Sequence, residues 1–264
     1  MVTAGFATSA VATPSDFDPD PLASNLHHFV TQSFYAMNHT LRYQQNIGDE
    51  GTRAKVDEAL AYANEAMQNS LTHTTNEAMK EKLETISALW EDYLSKLDVT
   101  LDDMDSRGYP DSRLVSELSQ SQFEVARLAQ AVYLEQTDSS EFILKIRLLC
   151  DDIAYMMTTY TGLSGLTATR VPVSDQSLDQ FAEKVDQRLE DIKDMATDQQ
   201  LRKPVLAAIT KWRFIRNSFI HYNQDNINFL TNLYSQKIIE NLQQATEAYI
   251  AQQAEDTHHQ VAVR

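Results

Sequence analysis

Glycine and proline are scarce, six of each in 264 residues. Tight turns draw on both, glycine for positive φ and proline for a preset φ, so the chain lacks the material for a sheet-rich fold with many hairpins. There is one cysteine, Cys150, which leaves no partner for an intramolecular disulfide. It stands in the apolar run 142–157, where a thiol reads as a small buried packing residue. No stretch approaches the roughly 18 consecutive apolar residues that a bilayer span requires, so membrane insertion is not expected. Basic residues are also few, 22 against 38 acidic, and the net charge of −16 repels phosphate backbones and anionic lipid. Nucleic acid is therefore not an expected partner.

Chemical motifs are missing as well. There is no G-x-S-x-G, no glycine-rich phosphate loop and no Cys/His pair at a recognisable spacing. A di-iron helical bundle needs E-x-x-H on two helices plus two further glutamates. The one match, Glu255 with His258, lies in a polar tail, and His27, His28, His39, His73 and His221 have no acid at that spacing. The adjacent His258 and His259 could hold a metal weakly. The expectation is a non-enzymatic protein without a metal site or cofactor.

What is present is a helical period. Apolar residues recur at three- and four-residue steps, which puts them on one stripe of a helix. In the first half the stripes are Leu26, Phe29, Ser33, Met37, Leu41; Val56, Leu60, Ala63, Met67; Leu83, Ile86, Trp90, Tyr93, Leu97; and Leu118, Ser121, Val125, Val132. In the second half they are Ile146, Cys150, Ile153, Met157; Phe181, Val185, Leu189, Ile192; Val205, Ile209, Trp212, Phe219; and Ile238, Leu242, Ala245, Tyr249. Breaks fall at 48–52, 73–75, 108–110 and 137–140, and Thr74 with Glu77 fits a capping box. Pro204 stands about two turns into a helix starting near Thr197, where it should bend the helix or mark a later start. The longest connection, 162–177, reads as a mobile loop.

A gap-free shift of 122 residues superposes the halves. It sets Val56 on Leu178, Ala63 on Val185, Leu83 on Val205, Leu97 on Phe219, and Trp90 on Trp212, the only two tryptophans. Self-similarity at a fixed interval is the mark of duplication. The expected fold is all-α, two tandem antiparallel four-helix bundles arising from an internal duplication. The expected divisions are a flexible or signal-derived segment at 1–20, bundles at 21–137 and 138–255, and a polar tail at 256–264. Residues 1–12 are small and apolar, and Ala10-Val11-Ala12 has the A-x-A form of a signal-peptidase site without a basic region ahead of it. That suggests a periplasmic or otherwise exported protein, a cytoplasmic one being the alternative.

Candidate binding residues come from the segment 211–222. Trp212, Ile215, Phe219 and Tyr222 lie on its buried stripe, and Arg213 and Arg216 share a flank beside it. Those arginines either pair with acids on a neighbouring helix or form a carboxylate-binding face, the guanidinium fork matching a carboxylate. Arg147 is the companion, since a cation inside an apolar run must find an anion. Asp151, one turn on, is the internal partner expected for it, and a ligand the alternative. Tyr155, Met156, Met157 and Tyr160, with Phe34, Tyr35, Met37 and Tyr43, serve as core filler or line a small pocket between helices. The asparagines and glutamines of the last helix, among them Asn228, Asn232 and Asn241, read as a mixed surface.

Two sets of four helices, a start suggestive of export, and arginines near aromatics give a chain that resembles the extracytoplasmic four-helix-bundle modules of bacterial sensors and chemoreceptors. The resemblance implies a soluble relative that binds a small organic anion, and the residues of this chain expected to reach such a ligand are Arg147, Arg213, Arg216, Tyr160 and Trp212. Such modules normally sit between two membrane helices, which this sequence lacks. The other class left open is a scaffold or adaptor that recognises a protein partner through exposed helix faces.

Overall fold

A computed structural model describes residues 20–136, 139–164, 177–222 and 227–262, and it is all-helical. The elements are α1 (Pro21–Gln45), α2 (Glu50–His73), α3 (Glu77–Arg107), α4 (Ser112–Gln136), α5 (Glu141–Ser164), α6 (Leu178–Met195), α7 (Gln199–Ile220) and α8 (Asn228–Ala262). Residues 1–19 and most of the 162–177 connection lie outside the described residues, as do the side chains of His258 and His259.

Local chemistry sets the helix starts. A first turn leaves amides without intrahelical acceptors, and a short polar side chain just before it can supply one. Asp20 takes the amide of Ala23 at 3.0 Å ahead of Pro21, Asp49 takes that of Gly51, and Asp198 takes that of Gln200. The cap of α3 is Asn76, which accepts from Ala78 and Met79. Thr74, expected as that cap, instead closes the end of α2. Gly108 ends α3 at φ 74°, a left-handed position that glycine takes without Cβ strain. Helix α7 runs without interruption through Pro204, its sixth residue. The missing proline amide forfeits one bond near the start of the helix, and burial of Val205, Ile209 and Trp212 on either side of the next turn offsets it.

The stripes read from the sequence form the core. Leu26, Phe29, Met37, Leu83, Leu97, Val125, Ile153, Val185, Val205 and Phe219 are all buried, as are Trp90 and Trp212. Each such side chain contributes about 1.5–3 kcal/mol by leaving water. Helix α1 packs on α2, α4 and α5, and α4 also packs on α3, which meets α2 more lightly. Helix α5 packs on α6 and α8, and α7 packs on both of these. The two sets meet along α1 and α5, which therefore have neighbours on every side. That explains why most residues of both are buried, polar ones included.

Helices α1 and α5 run parallel and in register. From one end to the other, Ser139 donates to Asp20, His27 meets Asp151, Thr158 donates to the Phe34 carbonyl, and Asn38 donates to Thr161 Oγ1. The far end of this seam is polar. Asn232 Nδ2 of α8 also donates to Thr161 Oγ1, at 3.0 Å, and Thr161 reaches Asn228. Asn232 is thus a buried tie between α8 and α5, where the sequence suggested a mixed surface. Lys211 to Asn241 makes a comparable link between α7 and α8.

Candidate ligand-binding cleft

The five residues singled out from the sequence fall into two places. On α7, Trp212 is buried and its Nε1 donates to Asp186 Oδ1 on α6 at 2.7 Å. The second oxygen of Asp186 takes Arg216 Nε at 2.6 Å. Arg213 lies 3.7 Å from Glu190 with its side chain 72% exposed. Both arginines are thus seated against acids of the neighbouring helix, the first of the two readings above. Tyr160 is fully buried on α5, and its ring meets Phe219 edge-on while Phe219 stacks on Trp212. Its hydroxyl takes the amide of Ile227 at 3.3 Å.

Arg147 stands apart near the start of α5. It is 2% exposed and donates from Nη1 to Ser139 Oγ at 2.9 Å. The carboxylate expected as its partner is engaged elsewhere. Asp151 Oδ1 meets His27 Nδ1 at 3.0 Å, and Oδ2 accepts from Gln130 at 3.0 Å and Tyr133 at 2.6 Å. Helical spacing allowed the Arg147–Asp151 pair, but α1 and α4 approach Asp151 from the other side and supply three donors.

Asp151 forms part of a cleft of about 170 Å³ where α1, α4, α5 and α6 converge. Successive residues of a helix point about 100° apart. Asp151 accordingly turns toward α1 and α4, while Asp152 turns toward α6. There Asp152 accepts from Lys184 at 3.0 Å and Arg188 at 2.5 Å. Burial pushes the Asp152 carboxyl up from its ordinary value, against the pull of Arg188 and Lys184. Burial, then the Asp151 charge and hydrogen bond, hold the Tyr133 phenol far above its usual range. Tyr133 therefore stays a neutral donor to Asp151.

The walls of the cleft are aromatic. Tyr155 is central, its ring 6.0 Å from Phe34, 5.7 Å from Phe123 and 5.0 Å from Phe181. Arg127 of α4 is exposed at the lining and has no ion pair or hydrogen bond among the described residues. Two carboxylates thus face three cations, Lys184, Arg188 and Arg127, and the first two are already engaged by Asp152. Among the described residues, the uncommitted cation of the cleft is Arg127.

Sequence reading missed Arg127, Lys184, Phe123 and Phe181 as site residues. Arg127 and Lys184 look like ordinary solvent-facing positions of amphipathic helices. The one available signal was Asp151-Asp152, two adjacent acids inside an apolar run, which demand partners from more than one neighbouring helix. Comparison with family models, with curated proteins and with solved structures yields no match. The geometry of the cleft alone carries the functional reading.

Proposed function

We propose that this chain is a non-catalytic binding module that takes a small aromatic or apolar carboxylate in the cleft between α1, α4, α5 and α6. The carrying observation is Arg127, a guanidinium with no ion pair or hydrogen bond among the described residues, beside an aromatic-walled cavity. A guanidinium fork fits a carboxylate in geometry and charge, and the rings of Phe34, Phe123, Tyr155 and Phe181 would cover an apolar body. The size agrees, since a dry cavity of about 150 Å³ accommodates benzene. Asp151 accepts from three donors and Asp152 from two cations, so they repel an incoming anion less than their formal charge suggests.

We further read the chain as two tandem four-helix bundles that arose by duplication. Supporting this, Trp90 Nε1 donates to Asn64 and Trp212 Nε1 to Asp186, each 26 residues earlier, and the two hydrogen bonds are related by the 122-residue shift. The same shift relates the caps Asn76 and Asp198. On this reading the cleft lies on the seam between bundles, so a ligand would touch both, the arrangement a sensory module needs. The likeness to extracytoplasmic sensor modules, and an exported location, belong to the same proposal.

The test is thermal stability and calorimetric titration with benzoate and phenylacetate, with benzylamine as the cationic control. A ligand confined to the folded state must raise the melting temperature. The acids should stabilise the wild type, and Arg127→Ala should weaken their binding by about 1.5–3 kcal/mol, the worth of a hydrogen bond to a charged group. Preference for the amine, or equal affinity in Arg127→Ala, would overturn the assignment.

A further inference from the structure

Helices α3 and α7 are the outermost elements. Between α3 and the α1–α5 seam lie α2 and α4, and between α7 and the seam lie α6 and α8. Each therefore shows one long face to solvent, on opposite edges of the molecule, and the two faces carry opposite charge. Helix α3 has nine acidic and four basic residues. Its exposed line runs through Glu77, Glu81, Glu84, Glu91, Asp98 and Asp102 at three-, four- and seven-residue steps, which keeps them on one ridge. Helix α7 has five basic residues and no acid. Its exposed face holds Arg202, Lys203 and Arg213, the last 3.7 Å from Glu190 but 72% exposed, together with Leu206, 42% exposed, and Phe214, 57% exposed with one side of its ring on Tyr234.

The contrast holds at several equivalent positions, although Arg202 falls on Lys80 of the same sign. The 122-residue shift sets Lys203 against Glu81 and Arg213 against Glu91, two charge reversals at outward sites. It also sets Leu206 against Glu84 and Phe214 against Asp92, so two acids have apolar counterparts. An exposed Phe on a cationic helix, in a chain of net charge −16, is not needed for solubility. Val99, 54% exposed, is an apolar counterpart next to the acidic ridge.

We propose that the chain self-associates head to tail, the α7 face of one copy seated on the α3 face of the next. The occupant is a second copy because both complementary faces are on this chain, on opposite edges where one copy cannot satisfy its own. Phe214 and Leu206 form the apolar centre of the contact, and Lys203 and Arg213 align it against Glu81 and Glu91. A heterologous contact of this kind repeats from copy to copy and builds rings or open filaments rather than a closed two-fold dimer. Net repulsion between copies acts at long range, while the paired faces act at contact.

Sedimentation velocity on the full chain tests this at micromolar to near-millimolar concentration. The salt is set to about 0.1 M, where charges are screened beyond about 10 Å, and then to about 0.5 M. Concentration-dependent oligomers should form at the lower salt and dissociate at the higher. Lys203→Glu with Arg213→Glu on α7, and separately Glu81→Lys with Glu91→Lys on α3, should each weaken association about tenfold or more. Mixing the two variants should restore it, because each retains the face the other has lost. Phe214→Ser should weaken association, and since it also removes the ring contact with Tyr234, Tyr234→Leu, which removes that contact but keeps Phe214, should leave association in place. A wild type that stays monomeric throughout, or charge-reversal and Phe214 variants that associate as the wild type does, would overturn the proposal.

Discussion

His27 and Asp151, 124 residues apart, join the two sets of helices through a 3.0 Å contact between Nδ1 and Oδ1 in a buried layer. The carboxylate belongs to α5, yet its other donors, Gln130 and Tyr133, belong to α4. Asp151 is thus inserted from one set into the polar core of the other. Removing one member of a buried charged network leaves the rest desolvated and unpaired, which costs about 3–5 kcal/mol. Asp151→Ala should lose stability of that order in urea titration, and Tyr133→Phe, which deletes one bond to the charge, about 1.5–3 kcal/mol.

Stability should fall with acidification below the ordinary histidine range. Burial lowers the His28 pKa to about 4, with help from His27, and lowers that of His39 to about 3, with help from Arg42 and Lys55. Both are neutral when folded and become charged near 6.5 when unfolded, so below that value the unfolded chain binds more protons and gains. The loss for His39 alone is about 2 kcal/mol by pH 5. Asp152, raised by burial, works in the opposite sense in the carboxylate range. Melting temperatures from pH 7.5 down to 4.5 should decline, and His39→Gln should flatten the decline.

The two arginines of α7 should behave differently from one another. Arg216 shares Asp186 with Trp212, so Asp186→Ala removes two partners at once and should cost about 1.5–3 kcal/mol. Arg213→Ala should stay within about 0.5 kcal/mol, as exposed substitutions usually do. Denaturation of the variants, followed by tryptophan fluorescence, separates the cases.

Cys150 should be inert in the folded protein. It is fully buried, and burial together with the neighbouring Asp151 charge pushes its thiol well above the usual range. The thiolate is the reactive form. A chromogenic disulfide reagent should therefore leave it unlabelled in buffer and label it fully once denaturant passes the unfolding midpoint.

The helical class, the positions of the helices and the core were legible because a 3.6-residue period writes itself into the order of apolar side chains. Trp90 and Trp212 were legible as buried for the same reason. The pairing of Arg213 and Arg216 with α6 was one of two readings, since sequence gives the flank of a helix but not the charge across from it. Arg147 shows that limit from the other side. Its helical neighbour Asp151 was the nearest acid in sequence, but three donors from other helices hold that carboxylate. The cleft was not legible. Arg127 and Lys184 come together only because α4 and α6 both pack near α5, and nothing within either helix encodes that meeting.

The all-round burial of α1 has a consequence for how the protein is made. Its α5-facing side, including Phe34 and Asn38, has no cover until α5 has been synthesised about 120 residues later. At the usual 5–20 residues per second, that side stays open on the ribosome for roughly 6–24 s. Throughout that interval the nascent chain offers a half-apolar, half-polar helix flank to whatever lies near the exit tunnel. Chaperone demand at this flank of α1 should therefore end when α5 emerges, and pass to the sides of α5 that wait for α6 and α8.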